Sequence, residues 1–534
     1  MPVMAHRRAC RISALALLVL WGASDLLARQ SGATRTPAAP TSELSSLQRA
    51  RALLAANNLD TARAELEAAI ARAPGSSEAH HLLGLVYERQ NKLAEALSSY
   101  ETAIRLDATL AEAHDRRGFV LGRLGRTADA LAAFERAVQL APDLFDAQYH
   151  LGATRWWTKD ADGALPPLRA AVRLRPNHAE ARYYLGLTLK QQRQTAAAIE
   201  QLREAVRVGP QLAAARLQLG VALQEAGDLD GGLESLRAAV RLDPSSTDAR
   251  NSLGLALMQK GQADEAVATF QHLVSEQPQN VTARLNLGTA LMQSGDLAGA
   301  TSALRDALQV QPASAEARYN LGVALKQQDD FAGAEAELRQ AIALDPALPE
   351  ASFTLGVVLW QTGRGDEAVR TFRELVERRP DYGEAHMMLG TILKQQGATN
   401  EALAAFRSAV KYSPASPEAH RSLGQMLGQT GDAAAAAAAI DEAERLTRSK
   451  ADEQASTFAV AVGLQRLAAD DRDGAIERFR EAVRLFPDNA QARYQLALAL
   501  QAAGAKAEAQ TQFAEAQRLA PYLPIPSGLR ERKR

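Results

Sequence analysis

The chain has very little sulfur chemistry to offer. Its 534 residues contain one cysteine, Cys10, so a disulfide framework and a cysteine-based zinc site are both excluded. Aromatic residues make up only 5%. No run of Val, Ile and Thr alternates with polar residues long enough to read as a half-buried strand. Charge is balanced, 61 basic against 62 acidic residues, which removes the basic excess expected of a nucleic-acid binder. The motifs HExxH, GxxxxGK, GxSxG and a strand-borne GxGxxG are all missing. No catalytic residue, cofactor site or metal site is therefore expected. The nine histidines are scattered, with His80, His81, His114, His386 and His420 at similar places in the pattern described below. What remains is a chain with 47% hydrophobic residues, mostly small or unbranched, and rich in the helix formers Ala and Leu.

The only pronounced apolar run is short. Residues 1–11 carry His6, Arg7, Arg8 and Arg11, and residues 12–23 then read ISALALLVLWGA. Twelve helical residues span about 18 Å, against about 30 Å of hydrocarbon. Small residues follow at Gly22, Ala23, Ser24 and Ala28. Residues 1–28 thus read as a secretory signal peptide, cleaved near 24–28. That places the mature chain in the periplasm or outside the cell. The alternative is an uncleaved anchor that holds the protein at the inner membrane, facing outward. Residues 29–42, rich in Ser, Thr, Pro, Gly and Ala, read as a flexible linker, and residues 524–534 as a basic tail.

Between these ends the sequence repeats. Gly84, Gly118, Gly152, Gly186, Gly220, Gly254, Gly288, Gly322, Gly356, Gly390 and Gly424 are eleven glycines spaced 34 residues apart. With that glycine as position 8, Ala50 opens an earlier unit, and Gly463 and Ala497 open two later ones, for fourteen in all. Position 20 is Ala in thirteen of them, Gly232 being the exception, and position 24 is always large and apolar. Position 32 is Pro in twelve, Ala108 and Arg448 departing. Each unit holds two blocks of helical periodicity. Gly or Asn at position 15 suits the left-handed residue that ends a helix, and the proline stops the second helix. Acidic residues such as Glu78, Glu112, Glu180 and Glu316 open the first helices, where the helix dipole favours them. Other acids and arginines read as solvated partners one turn apart.

The 34-residue period and stretches such as "YYLGLTLKQ", "YNLGVALKQ" and "AAFERAVQLAP" resemble the tetratricopeptide repeat. The resemblance covers residues 43–450 as twelve repeats and 456–523 as two more. Residues 451–455 are an insertion, because Gly424 and Gly463 lie 39 apart rather than 34. It implies an all-α fold, a right-handed α-solenoid of antiparallel helix pairs. The insertion reads as a lengthened helix or a seam, or as a loop without effect.

In tetratricopeptide arrays the first helices line the concave face, so the resemblance places a binding groove along positions 5, 9, 12 and 13. The candidate groove residues are Tyr149, Trp156, Trp157, Tyr183, Lys190, Asn286, Tyr319, Asn320, Lys326, Phe353, Trp360 and Lys394. Aromatic rings give adaptable apolar contact, and lysines steer acidic segments. Position 13, usually Gln, can pair with a peptide backbone. The tyrosines read equally well as cover for the joint between repeats, and the Trp pair as a packing compensation. A carboxylate clamp of the cochaperone type is excluded, because position 9 carries Leu85, Phe119 and Ala153 in place of Asn. The implied function is a non-catalytic scaffold that binds protein or peptide partners in cell-envelope assembly or secretion. No nucleic acid and no small-molecule substrate is expected, and membrane contact only if the leader is retained. The alternative is the substrate-selecting array of a transferase whose catalytic part lies elsewhere. Asn286 and Asn320 resemble two members of the asparagine ladder in O-GlcNAc transferase repeats.

Overall fold

A computed structural model describes residues 41–524. The leader, most of the linker and the basic tail lie outside the described residues. Those residues form 27 helices and no strand. The first helix begins at Thr41, two residues inside the span expected of the linker. Two compact units follow, one reaching Pro210 (repeats 1–5) and one from Gln211 onward (repeats 6–14). Each is an α-solenoid of antiparallel helix pairs.

Position 15 is what makes the pairs. All fourteen residues there have positive φ, including the non-glycines Asn57, Asn91, Lys159, Arg193, Asp329 and Asp470. A left-handed residue lets the chain reverse in about three residues. The Lys, Arg and Asp members carry a Cβ in a region that costs an L-residue roughly 1–2 kcal/mol. Glycine would relieve that cost and lose part of the gain to unfolded-chain entropy. Arg193→Gly is therefore expected to raise the stability of the first unit by up to about 1 kcal/mol, read as slower hydrogen exchange in repeat 5.

Acids stand in the first turns as the dipole argument expects, at Glu78, Glu112, Glu180 and Glu316, and side-chain caps add to them. Ser76, Ser246, Asn280, Ser314, Ser416 and Asn489 accept from the backbone N–H three residues on, at the start of first helices. Asp160, Asp228, Asp296, Asp330 and Asp471 do the same for second helices.

Packing explains positions 8, 20 and 24. Ala at position 20 and the large residue at position 24 are buried in nearly every repeat, as at Ala368 and Phe372. Burying such a side chain contributes roughly 1.5–3 kcal/mol. A Cβ on Gly356 would stand 2.6 Å from Phe372 Cζ. Position 8 is small because the position-24 ring of the same repeat occupies its side-chain space.

Position 4 has a role that periodicity alone does not reveal. His80, His114, Gln148, Arg182, Arg284, Arg318, His386, His420 and Arg493 each place a side-chain nitrogen 2.6–3.4 Å from the carbonyl six residues earlier. That carbonyl belongs to position 32 of the preceding repeat. The second helix ends there, at a proline in all of these but Ala108, and the next repeat's first helix satisfies its oxygen. Many arginine–carboxylate pairs likewise join neighbours rather than residues one turn apart. Arg237–Glu265, Arg373–Glu401 and Arg480–Glu508 link position 25 of one second helix to position 19 of the next.

The repeat pattern breaks once. A single helix of 36 residues, Ala433–Ala468, serves as second helix of repeat 12 and first helix of repeat 13. Arg448 stands where twelve other repeats have the stopping proline, and Ala is the best helix former. The core of the second unit runs unbroken from Leu233 to Met426, and a separate cluster spans Ala459 to Phe513. Position 3, a buried Ala in repeats 2–12, is Phe458 in repeat 13 and is 71% exposed.

Candidate functional site

All twelve candidate groove residues are half-buried. Each of the two units holds its own set.

In the first unit the set is aromatic and dense. Tyr149 stacks on Phe145 with centroids 5.9 Å apart and lies 5.1 Å from the His178 ring. Trp156 meets Trp157 edge-on at 5.0 Å and Tyr184 at 5.6 Å. Trp157 Nε1 donates to the Tyr184 hydroxyl at 3.2 Å, and Tyr183 meets Tyr184 edge-on at 5.2 Å. Burial pushes the phenols of Tyr149, Tyr183 and Tyr184 up, so they stay neutral and act only through rings and hydrogen bonds. Tyr184, at the centre of the cluster, was missed by reading position 5 alone. The "YY" pair beside Tyr183 is the signal that would have found it. Both tryptophans thus pack on Tyr184 and stay half-buried, and Trp157 adds a hydrogen bond to it. Arg155, the departure at position 11, donates to the Gly163 carbonyl at 2.9 Å and to Glu135 at 2.7 Å. Lys190 lies on the same helix face, half-buried.

Next to it sits a buried polar network that sequence reasoning passed over. Asp115 is 2% exposed, and its Oδ1 lies 2.7 Å from His150 Nδ1. The His150 ring is held between Phe119 and Phe134, at 5.5 and 5.4 Å. Arg116 lies 3.6 Å from Glu88 and 3.9 Å from both Asp115 and Asp146. Tyr100 donates to Glu88 at 2.7 Å. Burial alone would raise the Asp115 carboxyl, but His150 and Arg116 outweigh it and hold it below the usual range. Burial, with Arg116 adding to it, lowers His81 from 6.5 to about 4, and its Nδ1 has no hydrogen-bond partner.

That shift makes stability depend on pH. His81 is neutral in the folded unit, whereas an unfolded histidine binds a proton near pH 6.5. Its contribution is complete above that pH and is lost as pH falls toward 4, by up to about 3 kcal/mol. Asp115, depressed in the fold, adds a further loss below about pH 3.9. The first unit is expected to lose exchange protection between pH 6.5 and 4.5. His81→Leu, which copies Leu217 and Leu285 at the same position, is expected to flatten that slope.

In the second unit the face is more polar, and neighbouring repeats are tied together. Asn286 donates to Asn251 at 2.8 Å, Gln224 to Gln259 at 2.8 Å, and Gln293 to the Met258 carbonyl at 2.9 Å. Trp360 Nε1 donates to Gln395 at 3.0 Å. Each pair is 35 residues apart, one repeat plus one position. The glutamine amides expected to meet a peptide backbone are thus partly engaged by their neighbours. Phe353 packs on Phe372 and Tyr382 at 5.7 and 5.6 Å. Lys394 Nζ lies 3.4 Å from Gln425 Oε1. Tyr319, Asn320 and Lys326 share the first helix of repeat 9, Ala315–Gln327. No group of three or more His, Cys, Asp and Glu able to hold a metal occurs among the described residues. None of the described helices is long and apolar enough to cross a membrane.

Tetratricopeptide repeat models match residues 47–111, 158–213, 217–281, 285–349, 387–451 and 463–524, with further matches at 325–392 and 111–144. The chain belongs to the tetratricopeptide repeat family. A comparison with curated proteins finds no match. Among solved structures, YrrB, described as a tetratricopeptide protein with an unusual peptide-binding site, is 26% identical over 34% of this chain and 95% of its own, with a TM-score of 0.32. PilF of Pseudomonas aeruginosa is 21% identical over 39% of this chain and 95% of its own, with a TM-score of 0.37. MamA is 28% identical over 30% of this chain and 95% of its own, with a TM-score of 0.28. Tetratricopeptide arrays are protein-interaction scaffolds, and the helix pairs described above are of that kind.

Proposed function

We propose that this protein binds extended or helical polypeptide segments along its first helices and works outside the cytoplasm, in assembly or secretion at the cell envelope. The observation that carries the binding reading is the half-buried aromatic cluster of Tyr149, Trp156, Trp157 and Tyr183. Large rings packed from behind and open in front present apolar area at small entropic cost. The half-buried Lys190, Lys326 and Lys394 favour partners with acidic segments. The basic head and apolar run at residues 1–23 support export.

Trp156 is the residue to remove, because Trp157 also donates a hydrogen bond to the Tyr184 hydroxyl. Trp156→Ala is expected to weaken partner capture at least tenfold, the loss typical of a truncated hot-spot tryptophan. Capture from an envelope extract, with circular dichroism as a folding check, measures it. Undiminished capture by a folded variant would remove the aromatic cluster from the binding face. Fractionation with N-terminal sequencing of the mature chain tests export and cleavage near residues 24–28.

A further inference from the structure

Repeat 10 departs from the position-4 pattern, as do Ser46 in repeat 1 and Ala459 in repeat 13, while Arg250 in repeat 7 turns to Glu276 instead of the Pro244 carbonyl. Position 4 is Arg, His or Gln in repeats 2–9, 11, 12 and 14, but Ser352 in repeat 10. Its hydroxyl does not reach the Pro346 carbonyl, which receives no hydrogen bond among the described residues. Where position 4 is arginine, the guanidinium also meets an acceptor on its own second helix. Arg182 and Arg493 meet Gln201 and Gln512, and Arg318 meets Glu337, all at position 23. Arg284 meets Asp306 at position 26. In repeat 10 position 23 is Thr371, whose hydroxyl turns to its own helix, and position 26 is Glu374. Glu374 has neither a hydrogen bond nor an ion pair among the described residues.

A cavity of about 430 Å³ opens beside Ser352 and Thr371, over a floor that includes Ile342, Leu355 and Leu359. Its charged lining is Glu374, with Arg370 and Arg378 one turn to either side, together with Glu367 and Arg339, which lie 3.8 Å apart. The Pro346 carbonyl and Glu374 correspond to the two acceptors that hold Arg284 in repeat 8, while the position-23 acceptor and the arginine donor are both gone. We infer that this cavity takes an arginine side chain from a partner polypeptide, one flanked in its own sequence by acidic residues. The guanidinium pairs with Glu374 and the Pro346 carbonyl, and its methylene stem lies on the leucine floor. The flanking carboxylates meet Arg370 and Arg378, which would repel a bare cation. The site lies on a different stripe of the helix Pro349–Gln361 from Phe353 and Trp360, so it is independent of the groove proposed above.

The probe is the capped tripeptide acetyl-Glu-Arg-Glu-amide, titrated into the full chain while the methyl resonances of Ile342, Leu355 and Leu359 are followed. Saturable shifts are expected for this peptide, and at least tenfold weaker binding when citrulline replaces its arginine or glutamine its glutamates. Ser352→Arg fills the cavity from within and is expected to abolish the shifts while keeping or raising the melting temperature. Glu374→Gln is expected to weaken binding at least tenfold. Trp156→Ala is expected to leave it unchanged, which separates this site from the aromatic cluster. Equal binding of the citrulline or an acetyl-Glu-Leu-Glu-amide peptide, or unchanged shifts in a folded Ser352→Arg chain, would overturn the inference.

Discussion

Gly356→Leu is expected to destabilise the second unit by roughly 3 kcal/mol or more, the high end for forcing side-chain volume into a packed contact. A Cβ alone would stand 2.6 to 2.9 Å from three carbons of the Phe372 ring. That ring is fully buried and has nowhere to turn. The two helices would have to part along repeat 10, opening contacts to both neighbours. Gly356→Ala is expected to cost less, about 1–2 kcal/mol, because the fold accommodates alanine at Ala50 and Ala497. Their position-24 partners are Leu66 and Phe513. Both of these lie in terminal repeats, which have a neighbour on one side only. Repeat arrays do not unfold in one step, so exchange protection of repeats 9–11 is the proper readout. Unaltered protection in Gly356→Leu would mean that the ring is not the close neighbour.

Asp115→Ala is expected to cost the first unit about 3–5 kcal/mol, the loss seen when one partner of a buried charged pair is deleted. The carboxylate anchors His150 at 2.7 Å and lies 3.9 Å from Arg116. Without it, Arg116 keeps Glu88 and Asp146, but the His150 imidazole loses its acceptor between two phenylalanine rings. A buried polar group left without its partner costs about 1–3 kcal/mol by itself. Asp115→Asn retains an acceptor oxygen and is expected to recover part of the loss. Exchange in repeats 2–4 distinguishes the two variants. A small, equal effect of both would show that the network is solvated.

The helix pairs were legible because their causes are local. Spacing marks the two helical blocks, position 15 the reversal, and position 32 the stop. Lys159 and Arg193 were not legible as reversal residues, because nothing intrinsic to Lys or Arg favours positive φ. The surrounding packing imposes it. The position-4 bond to the preceding carbonyl was hidden for a different reason. Arg, His and Gln are all polar, so the column looked like ordinary surface residues, and hydropathy does not single out what they share, a nitrogen at the right reach. The network around Asp115 depends on contacts 35 residues apart, and charge reads as solvent-facing until a neighbour covers it. The candidate groove residues were found by register, and the structure places them on the expected helices. Register does not reveal which ring leans on which, and so Tyr184 went unnoticed beside Tyr183.

Thermodynamically, a stacked array behaves like a chain of coupled switches, each repeat steadied by the one beside it. The uninterrupted rod from Ala433 to Ala468, about 54 Å long by helix rise, replaces one such coupling with a bare stretch of backbone. Fraying that begins at the C-terminal end is therefore expected to spread inward less readily across this stretch. The last two repeats, which hold their own buried cluster, are expected to melt apart from the repeats before them, with Phe458 on the exposed side of that junction.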